Sequence, residues 1–338
     1  MILTLRVIAF GDMKFAKSRA IAVFAVSVLG AAPVPAPAQA YPAKAIRVVV
    51  PYTAGGGADQ LARIFSHELN EAWKRPVIVD NRPGGAAAIG TEMAAKAAPD
   101  GYTLLFTASS PIVVNQSLYP KLGYDPVKVL TPIAFVAAVP LELVTHPSVP
   151  VKTVKDLIAL ARAQPDKLNY GSGGSGTPPH LTAELFKVLT GVKITHIPFK
   201  GSGPSVIAVV SGQVDLTFAT MVLTQPQVQA KRLRALAVTT PKRSQLVPEL
   251  PTMIEAGVPG FVSQQWYGIF APAGLPPDIA NQLHAESVRI LGLPSMREKL
   301  SSSGAESSRL TLEQFTSFIH ADVARWAKVI KLSGATAD

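Results

Sequence analysis

Four glycine-rich turns, each placed between a short β-branched run and a segment of helical period, constrain this chain more than any other feature. They are Pro51–Gly57 (PYTAGGG), Asn81–Gly85 (NRPGG), Gly171–Pro178 (GSGGSGTP) and Lys200–Pro204 (KGSGP). Strand-like runs precede them at Ile46–Val50, Val77–Val79, Leu168–Tyr170 and Ile194–Ile197. Helical faces follow, marked first by Leu61, Ile64, Phe65 and Leu69, then by the alanine-rich stretch Ala86–Ala97, by His180–Thr190 and by Pro204–Ser211. Such alternation is the pattern of βαβ units and a mostly parallel sheet, and predicts an α/β fold.

Further strands are expected at Thr103–Phe106, Leu216–Ala219, Ala235–Val238 and Tyr267–Phe270, and a helix over Pro277–Leu291. Thr153 with Asp156, and Thr311 with Gln314, have the spacing of capping boxes. The first opens a helix to Ala163. The second opens a final amphipathic helix with Leu312, Phe315, Ile319, Val323, Trp326 and Ile330 on one face. Two similar βα series predict two lobes. Leu141–Thr145 and the stretch around Val262–Trp266 are the expected crossings, dividing the chain into 41–140 plus 265–338 and 141–264.

The first 40 residues do not read as part of this fold. Met13–Arg19 is a basic segment, Ala20–Ala32 an apolar one, and Ala38-Gln39-Ala40 a small-residue cleavage site. The apolar run of about thirteen residues is shorter than the roughly 20 that span a bilayer. An export signal removed near Ala40 is therefore expected, with Met13 alone able to open it and the mature chain starting near Tyr41. The chain has no cysteine, which excludes disulfides, thiolate metal sites and a lipid-modified N-terminal cysteine.

The formal net charge is +10. Residues 1–40 hold Arg6, Lys14, Lys17 and Arg19 against Asp12, so about +7 remains to steer anions. Nucleic acid is not an expected partner, because the basic residues are scattered apart from Lys231–Arg234, which reads as a solvated helix end.

At the carboxyl ends of strands in an open α/β sheet, glycine lets backbone approach a ligand, and the next helix offers free N–H groups and a positive dipole end. The candidate contacts in the first turn are Tyr52, Thr53, Ala54, Gly55 and Gly56. In the third turn they are Gly171, Ser172, Gly173, Ser175, Gly176 and Thr177. A side chain at Gly56 or Gly173 would block backbone approach, and a left-handed φ is a further expected reason for glycine there. Pro178 and Pro204 suit the first position of their helices. Thr107, Ser109 and Ser110 after the third strand, Lys200 with Gly201, Tyr267, and Asp59 and His180 near the starts of their helices complete the candidate set.

Rival readings of these residues are weaker. Gly171, Gly173 and Gly176 fit G-x-G-x-x-G, but the following strand ends in His196–Lys200 without the acid that holds a ribose. Gly176-Thr177 lacks a P-loop lysine, and Thr177 stands where a nucleophile elbow needs glycine. The six histidines show no ligand spacing, so neither metal nor cofactor is expected. His180 either lines the cleft or caps and packs. Asp59 reads as a helix N-terminal carboxylate serving local N–H groups rather than a catalytic acid. Trp266 and Tyr267 are divided between core and cleft wall. A hydrolase using Ser175 and His180 stays open as an alternative, as does a receptor that signals to a membrane kinase.

Taken in order, the stretches 50–63 (VPYTAGGGADQLAR), 80–90 (DNRPGGAAAIG), 99–106 (PDGYTLLF), 169–181 (NYGSGGSGTPPHL), 196–203 (HIPFKGSG), 212–215 (GQVD), 234–243 (RALAVTTPKR) and 266–275 (WYGIFAPAGL) resemble the extracytoplasmic solute receptors of tripartite tricarboxylate transporters, the Bug receptors. The resemblance implies a periplasmic binding protein type II-like fold, with two α/β lobes joined by crossing strands and a ligand cleft between them. It implies a monomer that is not an enzyme, captures a di- or tricarboxylate, acidic amino acid or aromatic acid, and delivers it to membrane permease subunits. It also implies that backbone N–H groups and waters hold the ligand carboxylate. Tyr52-Thr53-Ala54 and Pro178-Pro179 depart mildly from the family pattern.

Overall fold

The computed structural model describes residues 41–119 and 122–336; the export signal read at 1–40 lies outside the described residues. The chain opens with Ile46–Val50 (β1), Gly57–Trp73 (α1), Val77–Asn81 (β2), Ala88–Ala95 (α2) and Thr103–Ala108 (β3). Three single helical turns, Ser110–Val113 (α3), Asn115–Leu118 (α4) and Pro126–Val129 (α5), lead into Leu130–Thr145 (β4). The second series comprises Val154–Ala163 (α6), Asn169–Ser172 (β5), Pro178–Thr190 (α7), Thr195–Pro198 (β6), Ser202–Val210 (α8), Leu216–Thr220 (β7), Met221–Gln229 (α9) and Arg234–Val238 (β8). Gln264–Pro272 (β9), Pro277–Leu291 (α10), Pro294–Ser302 (α11) and Leu312–Ser333 (α12) close the chain.

The strands form one sheet in the order β2-β1-β3-β9-β4-β7-β5-β6, with β8 also on β4. β1 is parallel to β2 and β3, and β9 runs antiparallel to both β3 and β4. β7 and β8 are antiparallel to β4, while β5 is parallel to β6 and β7. β4 is 16 residues long and serves both halves. Leu130–Pro140 pairs with β9, and Leu141–Thr145 pairs with β7. The expected crossing at Leu141–Thr145 is thus only the tail of a longer strand, whose start is disguised by Pro132 and Pro140.

These directions set two groups of strand ends against each other. β1 to β3 run toward the Pro140–Leu141 switch from one side, and β5 to β7 run toward it from the other, so the two sets of carboxyl ends are opposed. Through β9, Ala108 at the end of β3 is level with Ala137 of β4. Thr220 at the end of β7 is level with Leu141. Four residue steps of β4 separate the two ends, about 13 Å at the rise of an extended strand. Gln264 to Tyr267 of β9 pair with Pro140 to Ala137 of β4 along that stretch.

Both capping boxes form, at Thr153 with Asp156 and Thr311 with Gln314, and a cap of this kind contributes about 1 kcal/mol. Along α12, Phe315, Ile319, Trp326 and Ile330 are buried. The helix packs on β4 and α3 and also on α7, spanning the two halves. Phe315 meets Phe135 and Trp266 edge-on at 5.7 and 5.6 Å between centroids. It closes on Gly268, where an added Cβ would lie 2.8 Å from the ring. The indole N–H of Trp266 donates to Asp322 at 2.9 Å, Arg325 pairs with the same carboxylate, and Arg325 also donates to the Val262 carbonyl at 2.6 Å. Lys231–Arg234 is not a simple helix end, since Leu233 is buried and Arg234 in β8 donates to the carbonyls of Val149 and Val151.

Candidate ligand-binding site

The turn after β1 is braced from inside. Gly55 has φ +83° and donates its N–H to Asp59 Oδ2 at 2.8 Å. The same carboxylate receives Arg63 and Asn81, each at 3.0 Å, and Asn81 also holds the Tyr52 carbonyl. Burial raises the Asp59 pKa, but the hydrogen bonds from Arg63, Gly55 and Asn81 outweigh it and leave the carboxyl below its usual range. Asp59 is therefore an ionised strut, fully engaged by its own lobe. Thr53 to Gly57 are exposed. The first N–H groups of α1, from Gly57 onward, have no carbonyl one turn back to bond, which leaves them with the helix dipole for an anion.

At the end of β3, Thr107 and Ser109 are buried and Ser110 is half-buried. The Tyr52 hydroxyl sits beside Thr107 and Ala108, and burial pushes it up to about 12. Tyr267 stacks on Phe106 at 5.9 Å, and burial, with Tyr52 adding to it, raises its phenol as well. Both phenols stay protonated at neutral pH. Gln265 donates to the Tyr267 hydroxyl at 2.6 Å. An added Cβ at Gly57 would lie 3.8 Å from that hydroxyl, so the ring end reaches the start of α1. Gln265 was not among the sequence candidates. Its signal was the period of two that puts it on the same face as Tyr267.

The opposing half is a pair of linked turns. Gly171 is buried, and a Cβ added to it would lie 2.6 Å from Ser205 Oγ; one added to Gly173 would lie 3.0 Å from the backbone N of Ser202. Gly201, at φ +108°, donates to the Gly173 carbonyl at 3.2 Å and joins the turn after β6 to the turn after β5. Gly174 and Gly176 have φ of +118° and +75°. Ser172 Oγ accepts the Gly174 N–H at 3.1 Å, Thr177 Oγ1 donates to the Gly174 carbonyl at 2.6 Å, and His180 Nδ1 accepts the Gly176 N–H at 2.9 Å. Ser175 is half-buried within this turn, and Lys200 is exposed at its rim.

Three expectations need correction here. Gly56 has φ −77°, and Gly173 is not among the glycines of positive φ, so neither is chosen for a left-handed backbone. Pro204 is the third residue of α8, not the first. The start of α7 is a weaker anion site than expected, because Pro178 and Pro179 remove two of its leading N–H groups.

Comparison with known proteins shows the family. Residues 61–335 match the tripartite tricarboxylate transporter family receptor. The chain belongs to that receptor family. Among the receptor's relatives, protein BugT of Bordetella pertussis is 37% identical over 302 residues, covering 89% of this chain and 93% of BugT. The solved structure of R. palustris Rpa4515 with adipate is 38% identical with a TM-score of 0.75, covering 88% of this chain and 100% of that one. MatC (Rpa3494) from Rhodopseudomonas palustris with bound malate is 31% identical with a TM-score of 0.70, covering 86% and 100%. The receptor therefore has the two-lobed, periplasmic binding protein type II-like fold expected from the sequence. Among its described residues, no helix is long and apolar enough to cross a membrane.

Proposed function

We propose that the receptor is exported to the periplasm, where it captures a small organic carboxylate between its lobes and presents it to the permease subunits of a tripartite transporter, without catalysing a reaction. The observation that carries this reading is the opposition of strand carboxyl ends across the Pro140–Leu141 switch, and on this reading the start of α1 faces the turns after β5 and β6. The likeness to proteins solved with adipate and malate supports a carboxylate as the ligand class. On this reading the lobes are 41–140 plus 265–338 and 141–264. Tyr52 to Gly56, Thr107, Ser109, Ser110 and Tyr267 face Gly171 to Thr177, Lys200 and Gly201. Four or five charge-assisted hydrogen bonds of roughly 1.5–3 kcal/mol each, less the cost of ordering and closure, leave about −8 kcal/mol, a micromolar Kd.

A thermal-shift screen of dicarboxylates on residues 41–338 tests it. A ligand at 100 times its Kd should add about 2.7 kcal/mol of stability, and closure should make the complex more compact by small-angle scattering. A verified ligand that changes neither quantity contradicts the closing mechanism. Export has its own check. Tyr41 is anchored in the fold by its hydroxyl on the Gly101 carbonyl at 2.6 Å and by its ring against Trp73 and Tyr102. Mass spectrometry of protein from the native host should find the N-terminus at or near Tyr41. A mature pool retaining Met13 to Ala40 would overturn the export reading.

A further inference from the structure

The imidazole of His180 is buried at the base of the 171–177 turn. Its Nδ1 accepts the Gly176 N–H at 2.9 Å, and a ring nitrogen that accepts carries no proton, so this ring is neutral. It stacks on His196 with centroids 4.2 Å apart and planes 17° from parallel, and His196 stacks on Tyr170 at 4.8 Å. His196 Nε2 lies 2.6 Å from Ser172 Oγ, the oxygen that accepts the Gly174 N–H. The two rings thus reach the turn at two points, Gly176 directly and Gly174 through Ser172.

We propose that His180 and His196 are positioning residues for ligand binding: a stacked pair that ties down Gly174 and Gly176 and so fixes Gly173 and Ser175 for the carboxylate. The proposal deepens the carboxylate-receptor reading and rests on it. Its physical need is clear from the backbone. Gly174 and Gly176 both occupy the left-handed region, and glycine is the residue that loses most freedom on ordering. A cradle built on such residues is rigid only if its N–H groups are held.

The arrangement works in one protonation state. Tyr170 on β5 and Glu184 and Lys187 on α7 are titratable or charged groups beside the pair. Tyr170 and Lys187 both donate to Glu184 Oε1, at 2.6 and 2.8 Å, and that oxygen lies 3.9 Å from His180 Nε2. Protonating His180 at Nδ1 would set a second donor against the Gly176 N–H. Protonating both rings would stack two cations 4.2 Å apart. Acidification should therefore loosen the turn and weaken binding.

Asparagine can place Oδ1 where His180 has Nδ1, and glutamine can place Oε1 where His196 has Nε2. With the best carboxylate from the screen, His180→Ala should raise Kd by about tenfold, the loss of one good hydrogen bond, while His180→Asn stays near wild type. Wild-type Kd should rise on going from about pH 7.5 to about pH 5.5, across the histidine range, and the His180→Asn/His196→Gln double variant should lose that dependence. A packing role alone would lower the melting temperature of the variants and leave the pH profile in place. A readout without ligand is the amide exchange of Gly176, whose protection should fall by about tenfold in His180→Ala and persist in His180→Asn. Unchanged protection in His180→Ala, or a pH dependence that survives in the double variant, overturns the proposal. Failure of the wild type to bind any carboxylate would instead count against the receptor reading, with the exchange result still deciding this one.

Discussion

Asp322→Ala is expected to lower stability by about 3 kcal/mol, the cost of breaking a buried charge pair from one side. The carboxylate is buried, and its removal strands two donors together, the Trp266 indole N–H and the Arg325 guanidinium. Arg325 is only a quarter exposed, so water cannot fully replace the lost partner. The isosteric change should be much milder. Burial raises the Asp322 pKa above its ordinary value against the opposing pull of Arg325 and Trp266, so the charge itself is costly in the folded state. Asp322→Asn removes that charge and keeps an oxygen for Trp266, and about 1 kcal/mol of loss is expected. The sign for pH follows. A carboxyl raised on folding binds protons more readily in the native state, so its destabilising contribution diminishes as pH falls through the folded value. Thermal unfolding of both variants checks this, at roughly 2–4 °C per kcal/mol for a chain of this order of size. Equal melting temperatures for the Ala and Asn variants would show that the pairing does not matter.

The second large effect concerns affinity. Gly56→Val should weaken carboxylate binding at least tenfold, about 1.4 kcal/mol, with little change in the free protein. At Gly56 the backbone is extended and an added Cβ would meet only the Thr53 carbonyl at an ordinary 3.6 Å, so the side chain fits the fold but occupies the approach to α1. Gly173→Val should lose both affinity and stability. Its Cβ would press the backbone of Ser202 and Gly201 at 3.0 and 3.2 Å, forcing apart turns that Gly201 N–H now joins. Overpacking of that kind costs about 1–3 kcal/mol. Ser175→Ala removes one hydroxyl and should be the mildest of the three. A nucleophilic Ser175 would show the reverse pattern, with substrate still bound and turnover lost. Calorimetry on the three variants distinguishes them, and unchanged affinity in both glycine variants would refute the backbone cradle.

The sequence made the βα units legible because each buries a β-branched run beside a helix of clean period, as Ile46–Val50 and the Leu61–Leu69 face do. Capping boxes at Thr153 and Thr311 were readable for the same local reason. β4 was not, since Pro132 and Pro140 break the usual strand signal and its pairing partners lie far along the chain. α9 escaped notice because Pro226 lies inside it and its faces are not segregated. In the site, the turns were visible as glycine clusters, but the uses of their N–H groups were not. That Gly55 serves Asp59 and Gly176 serves His180 depends on side chains folding back four residues later, and glycine composition is silent on that. Gln265 and His196 are not legible as candidates because each is brought to the turns only by its contact with another strand residue, Tyr267 and Ser172 respectively.

The pairing of Pro140 with Gln264 means that the segment between them begins and ends at neighbouring points. Residues 141–263 are, topologically, an insertion between two strands that pair with each other, although the two halves share one hydrophobic core. Joining β4 to β9 before that insertion has folded would close a loop of some 120 residues, an entropic cost on the order of 4 kcal/mol. Folding the insertion first brings its own two ends together and removes most of that cost. The assembly order should therefore run from the inserted half outward, with the central β4–β9 seam among the last long-range contacts to form.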